Sequence, residues 1–250
     1  MLNWNPDHIK YYYEGVKHSE YPRKIWAMIQ PFAARCNTVL DIGCGGGAFS
    51  IMALEQKYAV TALDISKIQL GYLRDEARLN GLEKGLTIIE GDFADTTVVP
   101  HDIAIAAYCF EGNISNMINI EKILHCTNKL GVFVLPGEIA KHEFLSELLP
   151  VDAITVQQNF HESGTLKNIL EAADGNGIRI IQKEIICDFG IPYDRYDPYQ
   201  VEFVAKKLGI TDLVITRKHI EKIKILNRGM PWLPNMKKMI VILVFTAYQA

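Results

Sequence analysis

Val39-Leu40-Asp41-Ile42-Gly43-Cys44-Gly45-Gly46-Gly47-Ala48-Phe49-Ser50 is the stretch on which the fold turns. An apolar run enters a cluster of glycines, and a helical pattern continues through Leu54. Glycine supports a tight turn and lets a ligand approach the backbone. The unsatisfied N–H groups of the following helix face the same spot. In an open α/β sheet that spot lies outside the carboxyl ends of the strands, where ligands bind. A strand–turn–helix that needs glycine only for packing gives the same string of residues.

Outward from this turn, short apolar runs alternate with helix-period segments. The runs cover residues 38–42, 59–63, 86–90, 103–107 and 132–135. They lack polar alternation, as strands buried on both faces do. Ser66 is a good N-cap for a helix carrying Leu70, Leu73 and Ala77, which Asn80-Gly81 ends. Ser115 and Thr165 are read as caps of two further helices, the second ended by Gly175-Asn176-Gly177. Strand and helix in this rhythm predict a parallel sheet covered on both faces. After residue 178 the rhythm changes. A strand is read at 178–187 and the last from Met239. Between them lie helices near 198–208 and 217–227, the first ended by Gly209.

Composition supports a packed domain. Of 250 residues, 49% are hydrophobic and 22% charged, which excludes a disordered or low-complexity chain. The longest uncharged apolar stretch, 239–250, falls short of the roughly 18 residues that span a bilayer. The N-terminal residues have neither a basic nor an apolar signal region, so a cytoplasmic location is expected. The cysteines, at 36, 44, 109, 126 and 187, form no CxxC and are read as free thiols, with no metal site. Residues 206–238 hold nine Lys/Arg against two Asp/Glu. This is either a grip for phosphate or nucleic acid or, more plainly, a solvated helical surface.

Two cofactor classes use a turn like that at 43–47. Gly43, Gly45 and Ala48 satisfy the G-x-G-x-x-A dinucleotide fingerprint. Asp41, Gly43, Gly45 and Gly47 satisfy Asp-x-Gly-x-Gly-x-Gly, which resembles the first motif of class I S-adenosylmethionine-dependent methyltransferases. Asp41 tips the choice. A negative charge there is awkward beside a pyrophosphate and useful beside the ammonium of a methionine moiety. Further positions agree. Asp64 ends the second strand, where a carboxylate accepts ribose hydroxyls; dinucleotide folds use the same device. Gly91-Asp92-Phe93 follows the third strand, Tyr108-Cys109-Phe110-Glu111 the fourth, and Asn128-Lys129-Leu130-Gly131 looks like the family's turn before the fifth. The resemblance covers roughly residues 37–136.

The resemblance implies S-adenosylmethionine as cofactor, with Asp41 at the methionine end and Asp64 on the ribose. Asp92 would accept the adenine amine and the neighbouring backbone N–H at Phe93 would meet a ring nitrogen. Ile65 would pack on an adenine face, and Tyr108 would flank the methionine end. It also implies a last strand antiparallel to its neighbours. Methyl transfer mainly requires alignment and exclusion of water; a general base is needed only for a nucleophile protonated at working pH. Tyr108 and Glu111 are the candidates nearest the transfer point, with Glu138 and His142 behind them; each also reads as an ordinary loop residue, the last two more readily so. Cys109 reads as a small hydrophobe before it reads as a reactive thiol.

The expected fold is therefore α/β: a seven-stranded, Rossmann-like, mostly parallel sheet with helices on both faces. A helical N-terminal cap (1–36) precedes a cofactor-binding core (37–188), and an inserted cap (189–238) precedes the last strand (239–250). Tyr12, Tyr13 and Tyr21 either form a lid or pack the first helix on the sheet. No Asn-Pro-Pro-Tyr or Asp-Pro-Pro-Tyr follows the fourth strand, which argues against a base-amine target. The expected activity is in-line methyl transfer to a small-molecule acceptor, favoured over nucleic acid, with no membrane partner. The alternatives are an RNA or protein methyltransferase using the 206–238 segment, a nucleotide-binding module without catalysis and, more distantly, a nicotinamide oxidoreductase. Neither the attacked atom nor the oligomeric state is written in the sequence.

Overall fold

The computed structural model describes residues 6–109, 115–136, 162–188, 191–192, 201, 211–226, 232–233 and 236–246. In chain order the elements are α1 (Pro6–His18), α2 (Tyr21–Ile29), a 3-10 turn (Gln30–Phe32), β1 (Thr38–Ile42), α3 (Ala48–Glu55), β2 (Ala59–Asp64), α4 (Lys67–Leu79), a second 3-10 turn (Glu83–Gly85), β3 (Leu86–Glu90), β4 (His101–Ala107), α5 (Met117–His125), β5 (Thr127–Pro136), α6 (Glu162–Gly175), β6 (Arg179–Asp188), β7 (Ile191–Pro192), α7 (Leu213–Leu226), β8 (Trp232–Leu233) and β9 (Met236–Phe245). Seven strands form one sheet in the order β3-β2-β1-β4-β5-β9-β6. The pairs β1–β2, β1–β4, β2–β3 and β4–β5 are parallel, and β5–β9 is antiparallel. The expected mostly parallel seven-stranded sheet is the one observed.

Chain contacts divide the molecule into two compact units. One comprises Pro22–Gly137, His161–Ile185 and Met239–Ala250; the other comprises Met1–Tyr21, Glu138–Phe160 and Ile186–Lys238. The division falls between residues 21 and 22, inside the 1–36 segment read as a helical N-terminal cap.

The sheet unit owes its stability to burial on both faces. Alternate strand residues point to opposite sides. Leu40, Ile42, Ala104, Ala106, Phe133 and Leu135 join Ile120, Ile123 and Leu124 of α5 and Ile169, Ala172 and Ala173 of α6 in one core. The residues between them, Val39, Ile103, Ile105, Val132 and Val134, are equally buried. Both faces are therefore covered, which is why the strands show no polar alternation. The N-terminal aromatics Trp26 and Phe32 pack in this unit, Trp26 edge-on to Tyr58 at 5.7 Å and Phe32 to Phe245 at 4.9 Å.

Several boundaries differ from the sequence reading. Ser66 does cap α4, accepting from the Gln69 N–H. The cap of α5, however, is Asn116, whose Oδ1 accepts from the Asn119 N–H at 2.9 Å. Thr165 lies buried inside α6, which starts at Glu162. Asn128–Gly131 is not a turn but part of β5. Its register against β4 shifts between His101 and Ile103, a bulge that absorbs the extra residue. Lys129 then reaches Asp102 at 2.9 Å, and Asp102 also accepts from the N–H groups of Asn37 and Thr38.

In the other unit, β7 and β8 pair antiparallel, and α1 packs against β7. Tyr12 and Tyr13 stack edge-on at 5.0 Å, and burial pushes the Tyr12 hydroxyl up to about 12. Helix α7 starts at Leu213 and not near 217, because Asp212 Oδ1 accepts from the Val214 and Ile215 N–H groups. Arg217 and Lys218 of the basic segment are exposed on it. The helix expected near 198–208 lies outside the described residues, apart from the buried, helical Val201.

Candidate functional site

The turn after β1 coils through three left-handed glycines, Gly43 (φ 62°), Gly45 (φ 55°) and Gly47 (φ 86°). Left-handed backbone strains any residue with a Cβ. Two of the three are also forced by packing. A Cβ on Gly43 would lie 2.3 Å from the Cys109 Cβ, and one on Gly47 would lie 2.2 Å from Leu73 Cδ1. The turn is tied down by Cys44 N–H to Leu63 O at 3.0 Å and Gly47 N–H to Cys44 O at 2.9 Å. Cys44 packs with Ala62, Leu70 and Leu73. Packing thus explains Gly43 and Gly47, so the case for a ligand rests on the acids around the turn.

Asp41 and Asp64 stand at the ends of the neighbouring strands β1 and β2. Asp41 is almost fully buried, and its Oδ2 accepts from the Ser50 hydroxyl at 2.6 Å. Burial raises its carboxyl to about 6, the Ser50 hydrogen bonds lower it, and the charge of Asp64 adds to the rise. Asp64 accepts from the Gly45 N–H through Oδ2 and from the Ser66 N–H through Oδ1, both at 2.8 Å. Burial raises it too, partly offset by those N–H groups and that of Ile65. Each carboxylate oxygen has two lone pairs, so these contacts leave acceptor capacity. Ile65 beside it is 61% exposed, a large apolar side chain displayed at the turn.

After β3, Asp92 is exposed and its Oδ1 accepts from the Ala94 N–H at 2.9 Å, fixing a tight turn. Phe93 turns its ring into the core, so only its backbone is available at the turn. After β4, Tyr108 has φ 54°, uncommon for a bulky side chain, with its N–H bonded to Val134 O. Strain of this kind gathers at functional sites. It carries the chain across Gly43 so that Cys109 fills the space a Cβ would take. Burial, then the charges of Asp41 and Asp64, push the Cys109 thiol far up, so it stays protonated. That disfavours a nucleophilic role.

The structure therefore gathers Asp41, Gly43, Gly45, Gly47, Asp64 and Cys109 around one turn, with Ile65, Asp92, Phe93 and Tyr108 on the segments that leave the neighbouring strands. Glu111, Glu138 and His142 lie outside the described residues. Among the described residues no three His, Cys, Asp or Glu side chains are grouped to hold a metal. All five cysteines are free. Two residues escaped the sequence reading. Ser50 was legible as the one polar side chain inside the apolar run 48–54. Lys122 carries no such signal.

These features fit the cofactor that the motif implies. A buried acid beside a glycine turn, with no cationic side chain bonded to it among the described residues, suits a ligand with positive charge. A second acid held by two backbone N–H groups suits a diol. An exposed isoleucine suits a flat ring. The comparisons agree. Residues 39–131, less than half of the chain, match the family described as methyltransferase domain. No curated protein matches the sequence. Among solved structures, YcgJ from Bacillus subtilis is 15% identical with a TM-score of 0.53, covering 89% of this chain and 97% of that one. Magnesium protoporphyrin IX methyltransferase from Synechocystis PCC 6803, with bound S-adenosylhomocysteine, is 13% identical with a TM-score of 0.52, covering 92% and 85%. The cyclase SpnF is 16% identical with a TM-score of 0.52, covering 89% and 80%. The core is thus similar to a methyltransferase domain over residues 39–131, and the chain shares the fold of these solved structures; this likeness supports S-adenosylmethionine as the cofactor. No helix among the described residues is long and apolar enough to cross a membrane.

Proposed function

We propose that this enzyme methylates a small-molecule acceptor, with Asp41, Asp64, Ile65, Asp92 and the backbone of Phe93 holding the cofactor and Tyr108 flanking its methionine end. The observation that carries the cofactor assignment is the pair Asp41–Asp64 set around the glycine turn without a cationic partner among the described residues. A pyrophosphate would meet the buried Asp41 there; an ammonium would be welcomed by it. When bound, the cofactor would supply the methyl carbon of a sulfonium, the acceptor's bond to that carbon forming in line as the carbon–sulfur bond breaks and the thioether leaves.

The chain's own part is binding, orientation and exclusion of water. Ser50 donates to Asp41 and favours its charged form. Asp64 fixes the Gly45 and Ser66 N–H groups and presents its remaining lone pairs to the ribose. The strained step at Tyr108 sets the chain against Gly43, where the methionine end is expected. The absence of an Asn-Pro-Pro-Tyr or Asp-Pro-Pro-Tyr clamp after β4 supports a small molecule over a nucleic-acid base. A panel of small amines, phenols, thiols and carboxylates, assayed for S-adenosylhomocysteine release with RNA and protein alongside, tests this. Release with one small-molecule class supports it; release only with RNA or protein overturns it.

A further inference from the structure

The segment after β3 is held by one ammonium. Lys122, on α5, donates to Phe93 O at 2.6 Å, Ala94 O at 2.9 Å and Thr96 O at 2.9 Å, and lies 4.8 Å from the centre of the Phe93 ring. An ammonium has three N–H donors, so donors and acceptors match one to one. Hydrogen bonds from a charged donor are about twice as strong as neutral ones. Three carbonyl dipoles aimed at one point would otherwise repel.

The same segment is pinned from its other side. A peptide group is planar and trans, so the carbonyl of one residue and the N–H of the next point in opposite directions. The Phe93 carbonyl meets Lys122; the Ala94 N–H across the same plane meets Asp92 Oδ1 at 2.9 Å. The Ala94 carbonyl meets Lys122; the Asp95 N–H across that plane meets Asp92 O at 3.2 Å. Gly91 completes the arrangement. A Cβ there would lie 2.8 Å from Thr96 Oγ1, which instead bonds Asp92 O at 2.6 Å. The orientation of the Asp92 carboxylate is thus set by peptide planes whose far edges Lys122 holds.

We propose that Lys122 is a positioning residue for base recognition: by fixing the 93–96 carbonyls it aims the Asp92 carboxylate and the Phe93 N–H at the cofactor's adenine. This rests on the reading that the segment after β3 receives the adenine. The role is specific to the base, because Lys122 is bonded to the loop and not to the glycine turn.

The test compares S-adenosylhomocysteine with S-inosylhomocysteine, whose base carries an oxygen and a ring N–H where adenine carries an amine and a bare ring nitrogen. Calorimetric affinities are measured for both ligands on the wild type, Lys122→Met and Lys122→Arg. Methionine keeps an unbranched stem against Phe93 and loses the donors. The wild type is expected to prefer the adenine ligand by tenfold or more. Lys122→Met is expected to lose about tenfold for it and little for the inosine ligand, so the preference collapses. Lys122→Arg should keep part of it. Both ligands are read on one preparation, so a lower folded fraction cancels in the ratio. A wild-type preference that Lys122→Met retains in full overturns the role of Lys122 and leaves the adenine reading standing. A wild type without preference overturns the adenine reading, and the role of Lys122 with it.

Discussion

The two ends of the sheet treat their carboxylates in opposite ways. At the amino end, Asp102 is partly exposed, and three donors meet it: the Asn37 and Thr38 N–H groups and the Lys129 ammonium. Against a desolvation cost, these hold its carboxyl below the usual range. At the carboxyl end, Asp41 and Asp64 are buried, bond only to neutral donors among the described residues, and sit above the usual range. The amino end is neutralised and serves stability. The carboxyl end keeps a negative charge that no cationic side chain among the described residues offsets, and the proposed cofactor's ammonium would offset it. On the proposed reading, stability and binding fall to different ends of the same sheet.

Substitutions at each end should separate the two roles. The largest effect is expected from Asp64→Ala. It removes the acceptor of two backbone N–H groups and the proposed ribose contact, and should weaken S-adenosylhomocysteine by roughly 1–3 kcal/mol in a calorimetric titration. Asp41→Asn comes next and should act in two directions. A carboxyl raised to about 6 in the fold, against roughly 3.9 unfolded, costs stability as pH rises between those values. The ligand-free variant should therefore melt higher than the wild type at pH 8, by an amount on the order of 1–3 kcal/mol. It should nonetheless bind the cofactor more weakly at that pH. Wild-type affinity should fall as pH is lowered through about 6, and the variant should lack that step.

Gly43→Ala is expected to destabilise by about 2 kcal/mol, through its left-handed φ and the Cys109 Cβ. Cys109→Ala should not restore it, because the Cβ itself is the obstacle. Cys109→Gly should restore part, as denaturant midpoints would record. The smallest effect belongs to the amino end. Asp102→Ala should cost about 1 kcal/mol of stability through its lost backbone hydrogen bonds and leave cofactor affinity unchanged. A large loss of affinity there would break the division of labour between the two ends.

Local signals carried much of this into the sequence. The strand at Thr38–Ile42 and the turn at 43–47 were legible because an apolar run meets left-handed glycines. The strand at Leu86–Glu90 and the Ser66 cap were legible because each is decided within a few residues. The antiparallel last strand followed from the family resemblance. What stayed hidden depends on partners far along the chain. The start of β5 was misplaced because Asn128–Gly131 has turn composition, and only pairing with β4 makes it a strand. Thr165 looked like a cap, yet it is buried within α6. The grip of Lys122 on carbonyls 26 to 29 residues away leaves no trace in local pattern. In the site, the acids were readable from position, whereas their uncompensated burial became visible only in three dimensions.

The most direct test of the central claim is calorimetric titration of the wild type with S-adenosylhomocysteine and, separately, NAD, at pH 8 and again below 6. The account predicts binding of S-adenosylhomocysteine that weakens at the lower pH, and no heat from NAD. Binding of NAD with silence from S-adenosylhomocysteine would contradict it and make the turn at 43–47 a dinucleotide site.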